Sequence, residues 1–290
     1  WMICVYRQHI GMFFYVIFYT KHPVDSYKKW LQKKRQGNLK ENQLKGLISV
    51  YAGEVEELKS IETILTGTLP DVIIPFDKIS LDGGLIARGG SGIVIKGTMG
   101  HSTTIALKVI QSQIAGDMEE LQSELGMLYS LNHPHIVRFL GITFHEGAIL
   151  IIQEYCPKNL KEYIQEKGAF TKVNPFLKMI MTLLDTFIFL HEKNIAHRDL
   201  KPANILLDEQ DQPKLCDLGM AKWVGTDKEM SFRTEVNGAM GTPGYMPPEM
   251  TFIKKGEHYS PKAWDVFSMA MLIYFMWSGK HPLLEFEQGF

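Results

Sequence analysis

The sequence predicts an α+β chain, and three features predict it. Two β-rich runs flank a small-residue stretch at 84–96, and an apolar strand ends at Lys108. A helix-like run follows in which Leu121, Leu125 and Leu128 recur at four- and three-residue steps. At 290 residues the chain has room for one large domain or two small ones. Apolar residues make up 45% and charged residues 22%, ordinary globular proportions that exclude wholesale disorder. The 31 Lys+Arg against 32 Asp+Glu nearly cancel, which argues against nucleic acid as a partner. Cys4, Cys156 and Cys216 are too few and too scattered for a disulfide framework or a Cys-based metal site, so a reducing, cytoplasmic setting is expected.

Residues 1–20 contain the apolar run Ile10–Tyr19, and the start at Trp1 rather than Met reads as a fragment edge. Ten helical residues rise ~15 Å, about half of a bilayer core. Counting from Trp1 brings in Arg7, Gln8 and His9, and a mid-membrane Arg costs ~2.5–3.5 kcal/mol. The stretch Lys21–Lys45 holds eight Lys/Arg against two acids, which suits a cytoplasmic flank. Two readings stay open: the remnant of a membrane span that tethers the protein, or a buried strand or apolar scrap of an incomplete chain. A signal peptide fits poorly, because no basic region precedes the run and no small-residue cleavage site follows it. Residues 21–74 read as a basic, helical linker. In it Val55, Leu58, Ile61 and Leu65 mark an amphipathic helix ending near Gly67, before Pro70 and Pro75.

The chemistry begins at Ile79. Gly89, Gly90 and Gly92 at the tip of a hairpin bring backbone N–H groups close to phosphate oxygens, since no Cβ intervenes, although glycine in a hairpin is also simply a turn. The strand Ile105–Lys108 ends on a single Lys, and Glu124, sixteen residues on, is placed to hold it. His197-Arg198-Asp199-Leu200-Lys201-Pro202-Ala203-Asn204 and then Cys216-Asp217-Leu218-Gly219 crowd charged residues between the apolar runs Leu183–Leu190 and Ile205–Leu207. Unpaired charge is costly to bury, so this cluster is expected to work rather than to pack. Asn204 and Asp217 supply the hard oxygen ligands that Mg²⁺ takes, and Asp199 is left to accept a hydroxyl proton.

At these residues the sequence resembles the eukaryotic protein kinase family, over about Ile79 to Phe290. The resemblance implies a bilobal fold for residues 75–290: a β-rich N-lobe over about 75–155 and a helical C-lobe over about 156–290, with the last C-lobe helices missing. It implies ATP between the lobes and Mg²⁺ as cofactor, with protein substrates as partners. Ala87, Gly89, Gly90 and Gly92 then form the phosphate loop, and Val94, Ala106 and Leu206 enclose the adenine. Lys108 holds the α- and β-phosphates with Glu124 as its partner. Gln153 is the gatekeeper, and Glu154 to Cys156 are the hinge. Asp199 is the catalytic base, Lys201 the stabiliser of the moving phosphoryl group, and Asn204 and Asp217 the metal ligands.

The stretch Gly241-Thr242-Pro243-Gly244-Tyr245-Met246-Pro247-Pro248-Glu249 is similar to the peptide-binding loop of protein-substrate kinases. With Lys201 two residues after Asp199, it resembles the serine/threonine pattern. Ile74–Ile79 reads as a first strand similar to that of the tyrosine-kinase-like group. Asp265-Val266-Phe267-Ser268 resembles the helical anchor whose Asp holds the catalytic loop. Arg198 implies regulation by an upstream kinase, with Ser231 or Thr234 as the modified hydroxyl. Cys156 reads as an inert apolar residue before a reactive thiol.

Four positions depart from the family's pattern: Ala87 for the first loop glycine, Leu218 for Phe, Pro247 for Ala and Ala270 for Gly. Leu218 is expected to keep an apolar column with Phe139, Leu128 and His197. The missing helices imply a stranded Glu249 carboxylate, exposed apolar surface around Trp264, Phe267, Phe275 and Trp277, and weak activity. A kinase-fold binding or scaffold protein, and the cytoplasmic part of a membrane-tethered kinase, are the alternatives to an active enzyme.

Overall fold

The computed structural model describes residues 41–52, 67, 70–89, 92–110, 118–145, 148–224, 234–235, 241–252 and 258–282. The apolar segment 1–20, the helix expected over 55–65, and Gly90 and Ser231 lie outside them. The chain opens with α1 (Glu41–Ala52), followed by β1 (Ile79–Ser80), β2 (Leu85–Gly89), β3 (Gly92–Met99) and β4 (Thr103–Val109). Next come α2 (Met118–Ser130), β5 (Phe139–His145) and β6 (Ala148–Glu154). All strand pairs in this sheet are antiparallel; β1 and β2 share one edge of β3, and β4, β6 and β5 follow on its other side. Ile74–Ile79 is not the expected strand. A parallel bridge joins Ile73 to Ile142, but Pro75, with φ −56° and no N–H to donate, then leads into a 3₁₀ turn at Phe76–Lys78, so pairing with β3 starts only at Ile79.

Side chains alternate across the sheet with the period of two that a pleated strand imposes. Ile93, Ile95, Ile105, Leu107, Val109, Leu150 and Ile152 form one buried cluster on the outer face. Ile149 and Ile151 face inward, in a second cluster with Leu125, Leu128 and Leu131. That second cluster continues into the helical half, joining Leu183, Phe187 and Leu190 to Leu272, Phe275 and Met276.

The helical half begins with β7 (Lys158–Asn159) and α3 (Leu160–Lys167), whose Asn159 and Glu162 form a reciprocal capping box. Helix α4 (Val173–Glu192) leads to β8 (Ile195–Ala196), β9 (Ile205–Leu207), β10 (Pro213–Leu215) and β11 (Lys222–Trp223). Then come β12 (Thr234–Glu235), α5 (Glu249–Phe252), β13 (His258–Tyr259) and α6 (Pro261–Ser278). Ser260 caps α6 through the Ala263 N–H, Pro261 starts it, and Gly279 ends it at φ 70°. Among the described residues α4 is the one helix long and apolar enough to cross a membrane by length and composition. Its face Ile180, Leu183, Phe187 and Leu190 is buried against the core, as in a core helix.

The two halves are stitched by a parallel bridge between Ile136 and Leu215, where Val137 N–H donates to Leu215 O and Leu215 N–H to His135 O, both at 2.8 Å. The apolar surface expected around α6 is only partly exposed. Trp264 is buried against Tyr259, with rings 5.6 Å apart, and Phe275 is buried in the core. Trp277 remains half-exposed, with its ring 5.0 Å from Phe176. Glu249 is exposed, so the cost expected for a stranded buried carboxylate does not arise.

Leu183 has no exposed surface at the centre of α4. Leu183→Ala should therefore lower stability by about 2–5 kcal/mol, read as a shifted midpoint in denaturant unfolding.

Candidate active site

The sheet's inner face and the first turns of the helical half enclose a cavity of about 340 Å³, within the ~300–1,000 Å³ typical of small-molecule sites. The sheet side supplies Ala87, Gly92, Val94, Ala106, Lys108 and Gln153. The connection between the halves supplies Glu154, Tyr155 and Cys156; the helical side supplies Lys201, Asn204, Leu206, Cys216 and Asp217. Every nucleotide-site residue expected from the sequence therefore lines one cavity, except two. Gly89 pairs with Gly92 at the end of the β2–β3 hairpin, and Gly90 is outside the described residues. Gly92 has φ +116°, and a Cβ on it would sit 2.7 Å from the Val109 carbonyl oxygen, so the hairpin demands glycine there.

Strand β4 aims Lys108 into the cavity because Leu107 and Val109 take the outer face. Its Nζ donates to Asp217 Oδ1 at 3.0 Å and to Glu124 Oε1 at 3.3 Å. Burial alone would pull the ammonium's pKa down. The Asp217 and Glu124 carboxylates outweigh it, so Lys108 ends above the ordinary lysine value and is charged at neutral pH. A Cβ on Gly219 would approach Lys108 Nζ to 3.2 Å and Asp217 Oδ1 to 3.4 Å, so glycine leaves this pair its room. Leu128 and Leu218 are buried in one cluster with Phe139 packed against it, and His197 is wholly buried nearby, its ring centroid 6.2 Å from that of Phe187.

A second polar cluster is centred on Asp199, which is almost fully buried. Lys201 Nζ donates to Asp199 Oδ2 at 2.6 Å and to Thr242 Oγ1 at 3.0 Å, while Thr242 Oγ1 donates to Asp199 Oδ1 at 2.6 Å. Asn204 Nδ2 donates to the Asp199 carbonyl at 2.8 Å and to Oδ2 at 3.0 Å. Lys201 and Asn204 also line the cavity, so they join the Asp199 cluster to Asp217. Asn204 spends its amide N–H groups on Asp199, which leaves its carbonyl oxygen as acceptor. Together with the Asp217 carboxylate this is a hard-oxygen donor set that fits Mg²⁺. Among the described residues no group of three or more His, Cys, Asp or Glu forms a metal site. Such an ion would therefore take its other ligands from phosphate and water, as Mg²⁺ usually does.

Both clusters rest on left-handed backbone: Arg198 has φ 64° and Asp217 φ 61°. The Asp265 carboxylate holds the first in place, accepting His197 N–H at 2.8 Å and Arg198 N–H at 2.7 Å. The Arg198 guanidinium donates from Nε to the Met220 carbonyl at 2.7 Å and from NH1 to the Tyr259 hydroxyl at 2.8 Å. Tyr259 is in turn the register partner of Thr234 in the β12–β13 pair.

Sequence reasoning missed several contributors. His191, whose Nε2 lies 2.8 Å from Asp265 Oδ2, had no sequence signal tying it to a residue 74 positions away. Glu154, expected from the sequence, lines the cavity; what the sequence did not show is that its carboxylate accepts Arg138 N–H at 2.7 Å and Lys214 Nζ at 2.9 Å, bracing the connection between the halves against β10. Ile151 was recoverable, since it shares an inward position with Gln153 two residues on. Cys216, beside Asp217, also lines the cavity. Burial and then the neighbouring Glu154 charge push the Cys156 thiol up to about 12. Burial and then Asp217 raise Cys216 well above the ordinary value. Neither is a reactive thiol at neutral pH.

A family model described as protein kinase domain matches residues 82–288. The chain is 34% identical over 201 residues to the G-type lectin S-receptor-like serine/threonine-protein kinase SD1-1 of Arabidopsis thaliana, covering 67% of this chain and 24% of that protein. It is 30% identical over 245 residues to cysteine-rich receptor-like protein kinase 6 of Oryza sativa, covering 82% of this chain and 34% of that one. To the MAP kinase kinase kinase wis4 of Schizosaccharomyces pombe it is 31% identical over 216 residues, 71% of this chain and 15% of the relative. The chain thus spans between 15% and 34% of the length of these relatives.

At pH 8 a thiol with a pKa of about 12 is thiolate to the order of 10⁻⁴, so Cys156 should resist iodoacetamide in the folded protein and react on unfolding, as read by mass spectrometry. Its raised pKa favours the fold below the ordinary thiol value of 9.0, and that contribution should fade as pH climbs from there toward about 12.

Proposed function

Because the chain belongs to the protein kinase domain family, we propose that residues 75–290 form a catalytic unit that transfers the γ-phosphoryl group of ATP to serine or threonine hydroxyls of protein substrates. The observation that carries this reading is the joining of two clusters through one cavity. Lys108, Glu124 and Asp217 are on one side, and Asp199, Lys201 and Thr242 are linked to them by Asn204. The link from Thr242 to both Asp199 and Lys201 supports the serine/threonine reading, as do the names of the relatives.

The division of roles is that of protein kinases generally. Lys108, held charged by its two carboxylates, offers a fixed countercharge to an anionic phosphate chain. Val94, Ala106 and Leu206 give the apolar walls for a purine ring, and the hinge backbone at 154–156 gives its polar edge. Asn204 and Asp217 would hold Mg²⁺, which when bound neutralises charge between phosphates. Asp199 orients the acceptor hydroxyl and takes its proton as the hydroxyl oxygen bonds to phosphorus and the bond from phosphorus to the departing ADP oxygen breaks. The Lys201 ammonium, 2.6 Å from Asp199, stabilises the charge on the moving group.

Regulation follows from the neighbourhood of Arg198. Thr234 pairs with Tyr259, whose hydroxyl already meets the Arg198 guanidinium. A phosphate placed on Thr234 or Ser231 by an upstream kinase would compete for that guanidinium through charge-assisted bonds. The relatives named receptor-like, together with the apolar run Ile10–Tyr19 and its basic flank, support a tethered arrangement with the catalytic unit on the cytoplasmic side.

Transfer from labelled ATP to a generic basic protein tests the activity. Asp199→Asn should lower kcat by roughly 10²–10⁴-fold. Asp217→Ala should abolish Mg²⁺-dependent turnover, and Lys108→Met should cut it severely; parent-level transfer by any of the three would overturn its assigned role. The Ser231→Ala, Thr234→Ala double variant should lose activation by the upstream kinase, and unchanged activity would remove the regulatory assignment.

A further inference from the structure

Helix α1 lies outside the residues matched by the kinase family model, yet it is built into the lobe that carries Lys108. Leu44 and Ile48 have no exposed surface, Leu47 is partly buried beside them, and Glu41–Gln43 and Gly46 face solvent. Spacings of three and four put the apolar residues on one helical stripe, which packs on β3, β4 and β6. The residues it covers, including Ile95, Ile105 and Leu107, are the outer-face positions of the strands whose inner-face positions line the cavity.

We propose that α1 is a positioning element of the nucleotide site, acting through β4 on Lys108; the inference rests on the kinase reading above. Alternation couples the two faces rigidly. A strand cannot move Ile105 and Leu107 without moving Ala106 and Lys108, because neighbouring residues of an extended chain share one backbone. The Lys108 bonds of 3.0 Å to Asp217 and 3.3 Å to Glu124 span three separate elements, so a small displacement of β4 breaks their geometry. At twelve residues, with a glycine in its middle, α1 is too short to hold itself as an isolated helix in water. Its folding and its docking are therefore one event. By linkage, whatever stiffens β3 and β4 from the cavity side must in turn strengthen the docking of α1.

Amide hydrogen exchange on the full chain, with and without ADP and Mg²⁺, and ADP affinity by calorimetry test this. ADP should slow exchange in residues 44–52 as well as in β3 and β4. The Leu44→Ser, Ile48→Ser variant should exchange faster in β3 and β4 and bind ADP about tenfold more weakly. Its KM for ATP should rise more than its kcat falls, and the conservative Leu44→Met, Ile48→Val variant should return to within about twofold of the parent. Unchanged β4 protection in the serine variant, or ADP affinity equal to the parent's, would overturn the proposal. Should the serine variant lose its thermal transition altogether, Leu44→Ala alone carries the same measurements under the same criteria. A parent chain that bound no ADP would instead sink the kinase reading, and the exchange comparison without nucleotide would still decide whether α1 holds the strands.

Discussion

Asp265 is wholly buried on α6, and a carboxylate in that position must find donors or give up its charge. It finds three: the backbone N–H groups of His197 and Arg198 and the ring of His191 on α4. These bonds hold Arg198 in a left-handed conformation that a side chain of its size rarely adopts unaided. Asp199 is the next residue along, so its direction is set by the same carboxylate. Two of the longest helices and the loop between β8 and β9 thus meet at one buried charge. The polar bonds of Asp199 to Lys201, Thr242 and Asn204 depend on that junction.

The opposite wall of the cavity is organised by a different constraint, the two-residue period of the sheet. Apolar side chains on the outer face leave every second position of β3, β4 and β6 facing inward, where Val94, Ala106, Lys108 and Gln153 lie. Lys108 is tolerated there because two carboxylates reach it from other elements, Glu124 on α2 and Asp217 beyond β10. The balance between burial and those charges keeps a cation in a pocket whose helical side also carries Lys201 and Asn204. An anionic ligand is the natural complement of such a site.

Much of this was legible in the chain itself. The Gly89–Gly92 hairpin, the strand that carries Lys108 and the charged stretch 197–204 follow from local chemistry; each is found in place, the strand running one residue further, to Val109. Elsewhere local pattern misled. Ile74–Ile79 looked like a strand, but Pro75 removes a donor and turns the backbone. Leu44, Leu47 and Ile48 form a short stripe within a basic run, with nothing local to mark it as core, yet the structure buries it against the sheet. Trp264 was expected at the surface, yet the segment leading into α6 folds Tyr259 over it. For the strand segment the cause, Pro75, lay within it; for Leu44 and Trp264 the deciding partner lay outside the window in which periodicity can be read.

From sequence alone came the inventory: which residues carry charge, where glycine relieves a turn, which positions alternate, and hence the two-part α+β organisation and the chemistry of its candidate site. Only the tertiary structure decided the pairings. Lys108 and Asp217 are 109 residues apart, His197 and Asp265 68, and Thr242 and Asp199 43, and each pair meets within 3.0 Å. The physical reason is that backbone hydrogen bonding and side-chain alternation act over a few residues and leave a local imprint. A buried charge instead selects its partner by proximity in the folded core, which depends on how the whole chain packs.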